Sequence, residues 1–93
     1  MDQLDLFATA TQDARSWALR ARTLANRALC DDQENALTVT AVQFDSAAQY
    51  LVHGDTASAR AALRAAGNYA GSEEGGAPKV AEAARTILAS LPA

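Results

Sequence analysis

Apolar side chains recur along most of this chain every three or four residues, the spacing of one face of an α-helix, and four such stretches can be traced. The first starts after Thr9 or Thr11, either of which can cap a helix, Thr9 with Gln12 in the spacing of a capping box. It runs to about residue 29 on a stripe of Ala14, Trp17, Ala21, Leu24 and Ala28, widened by Ala18 and Ala25 and anchored by Trp17. Asp31 or Asp32 is positioned to cap the second, over about residues 33–52, and Asp31 with Glu34 repeats the capping-box spacing. Its stripe of Leu37, Ala41, Phe44, Ala48 and Leu51 is the cleanest in the chain and predicts the centre of the core, with Gly54 where a left-handed cap is wanted. Asp55 or Thr56 caps the third, on Ala59, Leu63, Ala66 and Ala70, ending near Gly67 or Gly71. Residues 71–76 carry three glycines and no large apolar side chain, which predicts a mobile acidic loop. Pro78 opens the fourth helix, whose inward positions are Val80, Ala84, Ile87 and Leu91, and Pro92 closes it.

Short connections between helices of similar length favour antiparallel neighbours, so the pattern predicts an all-α fold: a small antiparallel bundle of about four helices over residues 9–93. Residues 1–8 stand apart. Leu4, Leu6 and Phe7 crowd together ahead of the first helix-start signal, and the segment reads as an extended amino-terminal tail. Composition adds that the core must be thin. Of 93 residues, 49% are apolar, yet alanine dominates that share and the large rings are two Phe, two Tyr and one Trp. Alanine is the best helix former, only Pro78 and Pro92 interrupt the chain, and the nearest thing to a strand is the short run Leu37-Thr38-Val39-Thr40-Ala41-Val42.

The net charge of −3 argues against a dedicated nucleic-acid binder, which needs a surplus of Lys and Arg to displace counterions from phosphates. Cys30 alone forms no internal disulfide, and no basic segment followed by an apolar one marks a secretory leader, which points to the cytoplasm. No apolar run reaches the roughly 20 residues of a membrane span. No cofactor is expected, since Gly71, Gly75 and Gly76 follow no strand and lack the Lys-Ser or Lys-Thr of a phosphate loop. Nor is a metal, because Cys30 and His53 supply two ligands where structural zinc takes about four.

One motif carries functional information. Gln3-Leu4-Asp5-Leu6-Phe7 resembles, at all five positions, the peptide by which many bacterial proteins bind the DNA polymerase sliding clamp, Gln-Leu-(Ser or Asp)-Leu-Phe. The resemblance implies that Gln3 orients the peptide by hydrogen bonding, Leu4 makes a secondary apolar contact, Asp5 is a spacer, and Leu6 and Phe7 anchor it in a hydrophobic pocket. A free tail with three large apolar side chains is in any case a patch that wants a partner. Burial of Leu6 and Phe7 contributes about 1.5–3 kcal/mol each before the tail is ordered, which sets an affinity in the micromolar range. The competing reading packs Leu4, Leu6 and Phe7 back on the bundle as a hydrophobic staple.

Other features have two readings each. Arg15, Arg20, Arg22 and Arg27 make the first helix basic; they are a second contact to an acidic partner or to DNA inside a clamp, or else interhelical ion pairs and a solvated face. His53, Asp55 and Ser58 contain the residue types of a nucleophilic triad, but a helical turn separates His53 from Ser58 and no oxyanion-hole glycine motif accompanies them. The expectation is therefore a non-enzymatic accessory or regulatory protein of the sliding clamp, with a second protein partner for the bundle and no direct contact to nucleic acid or membrane. The alternative is a helical interaction module, such as an antitoxin, immunity or adaptor protein. An enzyme or DNA binder using the arginine face comes third.

Overall fold

The computed structural model describes residues 3–92, with side chains from Asp5 onward. It contains four helices, α1 (Gln3–Asn26), α2 (Asp31–Val52), α3 (Thr56–Gly71) and α4 (Pro78–Ser90), and no strand among the described residues. Each packs on the next in the chain, and α1 makes a narrower contact with α4. The molecule measures 42 × 18 × 18 Å.

The segment expected as an extended tail is helical from Gln3. Nothing from there to Thr9 breaks a helix, and Phe7 lies seven residues before Ala14, two turns along the same stripe, where it packs against the core. Burial of that ring extends α1 upstream. Thr11 accordingly caps nothing; its hydroxyl donates to the Phe7 carbonyl at 2.6 Å, and Thr9 is an exposed helical residue. The buried stripe of α1 is Ala10, Ala14, Ala18, Ala21 and Ala25. Trp17, expected as its anchor, is only half-buried at the edge, with the Arg20 guanidinium 4.5 Å from its ring centre, and Leu24 is exposed. Alanines win the stripe because they let α2 approach closely enough to exclude the larger side chains. The helix closes at Asn26 through tighter bonds from Arg27 N–H to Leu24 and from Ala28 N–H to Ala25.

Neither Asp31 nor Asp32 caps α2. The cap is Cys30, extended at φ −149°, ψ 161°, and the acids occupy the first turn, where their charge favours the helix dipole without a capping bond. Gln33 supplies the missing polar contact: its side-chain oxygen accepts from Leu29 N–H at 3.3 Å, and its amide reaches the Gly75 carbonyl at 3.5 Å. The stripe of α2 is buried as its spacing predicts, with Phe44, Leu37 and Thr40 among the most enclosed side chains, and Thr40 donates to the Ala36 carbonyl at 2.8 Å. The helix ends in a complete Schellman turn: Gly54, at φ +74°, donates to Leu51 and Asp55 N–H to Tyr50. Asp55 then caps α3, accepting from Ser58 N–H at 3.0 Å.

Of residues 71–76, expected as a mobile loop, Gly71 ends α3 and the rest form, with Ala77, a hydrogen-bonded turn. Ser72 ties it together, its hydroxyl donating to Tyr69 at 2.7 Å and accepting from Gly75 N–H at 3.0 Å, while Ala77 N–H reaches back to Ala70 at 2.8 Å. A Cβ on Gly75 would sit 2.1 Å from the Tyr69 carbonyl oxygen, so glycine here is required by close approach of backbone to backbone. Gly67 lies inside α3, not at its end, at the α3–α4 seam, where an added Cβ would meet the Ala84 Cβ at 3.6 Å, an ordinary van der Waals contact. No described buried side-chain polar atom lacks a partner. No helix among the described residues is long and apolar enough to cross a membrane.

Candidate functional site

The described part of the QLDLF segment forms the opening turns of α1. The side chains of Gln3 and Leu4 lie outside the described residues. Asp5 is exposed, and Leu6 and Phe7 are half-buried. Consecutive helical residues diverge by about 100°, so Phe7 joins the core stripe while Leu6 leaves the helix on another side. The pair that the motif resemblance casts as joint anchors is thus split between two directions, with Phe7 engaged by the chain's own core.

Phe7 also borders a groove between α1 and the carboxy-terminal end of α2. Leu51, Val52 and His53 line one wall, and Arg15 and Leu19 line the other. Leu51 is buried, but Leu19 and Val52 are 67% and 56% exposed. Sequence patterning passed over both. Leu19 sits five residues after Ala14 and about 140° round from the core stripe, and that offset was the available signal.

The four arginines do not form one face. Arg22 is held by Asp45 of α2 at 2.7 Å in a half-exposed ion pair of about 0–1 kcal/mol, and Arg20 is stacked on Trp17. Arg15 lines the groove, and Arg27 follows the end of α1, exposed. His53 has its ring 3.3 Å from the Gln49 amide, whereas Asp55 accepts from the backbone N–H of Ser58, so the histidine is joined to neither of the other two residue types of a triad. Hydrogen bonds from Ser58, the hydroxyl first and the backbone N–H second, hold the exposed Asp55 carboxyl below its ordinary value of 3.8. Cys30 is an exposed free thiol, and no group of three His, Cys, Asp or Glu among the described residues is placed to hold a metal ion.

The chain matches no protein-family model, no curated protein and no solved structure. Chemically, the residues at this end of the bundle offer apolar surface rimmed by Arg15, Gln12 and His53, which suits contact with another protein.

Proposed function

We propose that this chain is a small non-enzymatic accessory or regulatory protein of the bacterial DNA polymerase sliding clamp, docking through Gln3, Leu4, Asp5, Leu6 and Phe7 and modulating replication or repair. The observation that carries this reading is the five-position match of that segment to the clamp-binding peptide. Its position in the first turns of α1 supports it, because helix ends open at the smallest cost. Docking requires those turns to open, so that Leu6 and Phe7 enter one pocket as an extended tail. The apparent affinity is then the intrinsic one scaled by the fraction of molecules with the segment released. Arg15, Arg20 and Arg27, which lie outside the Arg22–Asp45 pair, supply a second contact where the partner presents acidic groups.

The rest of the chain we read as an up-and-down antiparallel bundle acting in the cytoplasm, with a second protein on its surface, without a cofactor and without direct contact to nucleic acid or membrane. Support for the helix order comes from contacts joining distant residues, Gln33 with Gly75 and Arg60 with the Pro92 carbonyl, the latter at 3.5 Å. A second reading is favoured by one observation, the packing of Phe7 on the core: a helical interaction module whose amino-terminal segment belongs to the bundle.

Calorimetry of the protein against a bacterial sliding clamp separates the two. Micromolar binding that is lost in a Leu6→Ala, Phe7→Ala variant of unchanged helical content supports docking. Absence of binding by the intact protein overturns it in favour of the interaction module.

A further inference from the structure

We propose that the groove between α1 and the end of α2 binds an acidic amphipathic helix of a partner protein. Large aliphatic side chains exposed singly are ordinary, but here two of them from different helices, Leu19 and Val52, meet in one concave surface with Phe7 and Leu51 beneath. That is the surface a helix-in-groove contact uses. The α1 wall from Phe7 to Leu19 is roughly 18 Å long at 1.5 Å per residue, room for about three turns of an incoming helix with anchors at i, i+3 or i+4, and i+7.

Charge selects the partner's sign. The chain as a whole is acidic, at −3, yet no carboxylate is among the described residues lining the groove, and its rim carries Arg15, Gln12 and His53. Asp55, adjacent in sequence to Gly54 of the lining, keeps its charge but is not itself among the lining residues; its carboxylate accepts from Ser58 N–H at the start of α3. Arg15 has no ion-pair partner among the described residues, in contrast to Arg22. An incoming helix places its carboxylates at Arg15 and its apolar stripe on Leu19 and Val52; a basic helix gains the second contact and is repelled at the first.

The probe is a fluorescein-labelled, end-capped helix of about fourteen residues with Leu at the anchor spacing and Glu on its flanks, compared with the same peptide carrying Lys for Glu. Fluorescence anisotropy is expected to show the Glu peptide binding about tenfold or more tightly, a difference that Arg15→Glu reverses. A Leu19→Ser, Val52→Ser variant, altered only at exposed positions, abolishes binding with its circular dichroism unchanged. Equal binding of the two peptides, binding of neither, or binding that survives the double variant overturns the proposal. Phe7 and Arg15 belong to both sites, so release of the QLDLF segment removes the floor of this groove, but none of these outcomes is read with the sliding clamp, and failure here is distinguishable from failure of clamp docking.

Discussion

Asp55 shows how one side chain can do at the surface what larger groups do in a core. Its carboxylate closes the amino-terminal end of α3 by accepting from Ser58, immediately after Gly54 has closed α2, so two helices are terminated within consecutive residues. Because those hydrogen bonds lower the Asp55 carboxyl below 3.8, the charged form is favoured by folding. The resulting stabilisation is present in full above the unfolded value and is lost as pH falls through the lower folded one. An Asp55→Asn variant keeps a capping acceptor but no titration. Denaturant melts of the two proteins should therefore differ by a constant amount from about pH 5 to pH 8, with the difference shrinking below roughly pH 4. A difference that instead grows in acid would show that Asp55 is not held below its ordinary value.

At the scale of elements, the α3–α4 connection departs most from what glycine-rich composition suggests. Residues 71–76 read as flexible from their side chains alone, and that reading omits where the backbone goes. The Ala77 N–H returns to Ala70, Ser72 bonds twice, and Gly75 is buried against the Tyr69 and Ala70 carbonyls. Gly75→Ala should accordingly destabilise the protein by roughly 1–3 kcal/mol, the scale of a strained backbone position, as read from the urea midpoint. A mobile loop would absorb the same methyl group with no measurable change. The start of α1 makes the converse point: its helix includes residues upstream of Thr9 because Phe7 gains burial.

Across the whole molecule, alanine sets the distance between helices and a few large side chains fill what remains. Phe44 is 0% exposed at the middle of α2, the helix that packs on both α1 and α3. Phe44→Ala is expected to cost about 3–5 kcal/mol in chemical unfolding, because a close-packed alanine-rich core has few side chains long enough to fill the void. For a chain of this size that is a large part of a total stability of roughly 5–14 kcal/mol, so partial unfolding at ambient temperature is the accompanying sign. A loss below about 1 kcal/mol would mean that the helices collapse inward and that the core is less rigid than its packing indicates.

Helical class, the inward faces of α2, α3 and α4, a cap at Asp55 or Thr56 and the Gly54 turn were legible in the residues themselves, since each depends on neighbours within about one turn of helix. The QLDLF pattern was legible in the same way, and so was the acidic first turn of α2. Tertiary structure decided the rest. It made residues 3–8 helical, exchanged Trp17 for an alanine stripe at the α1–α2 seam, tied residues 72–77 into a hydrogen-bonded turn, paired Arg22 but, among the described residues, not Arg15 with an acid, and brought Leu19 alongside Val52. The division has a physical cause: periodicity and capping are properties of one segment, whereas burial, close backbone approach and the meeting of side chains from different helices exist only once the segments are packed together.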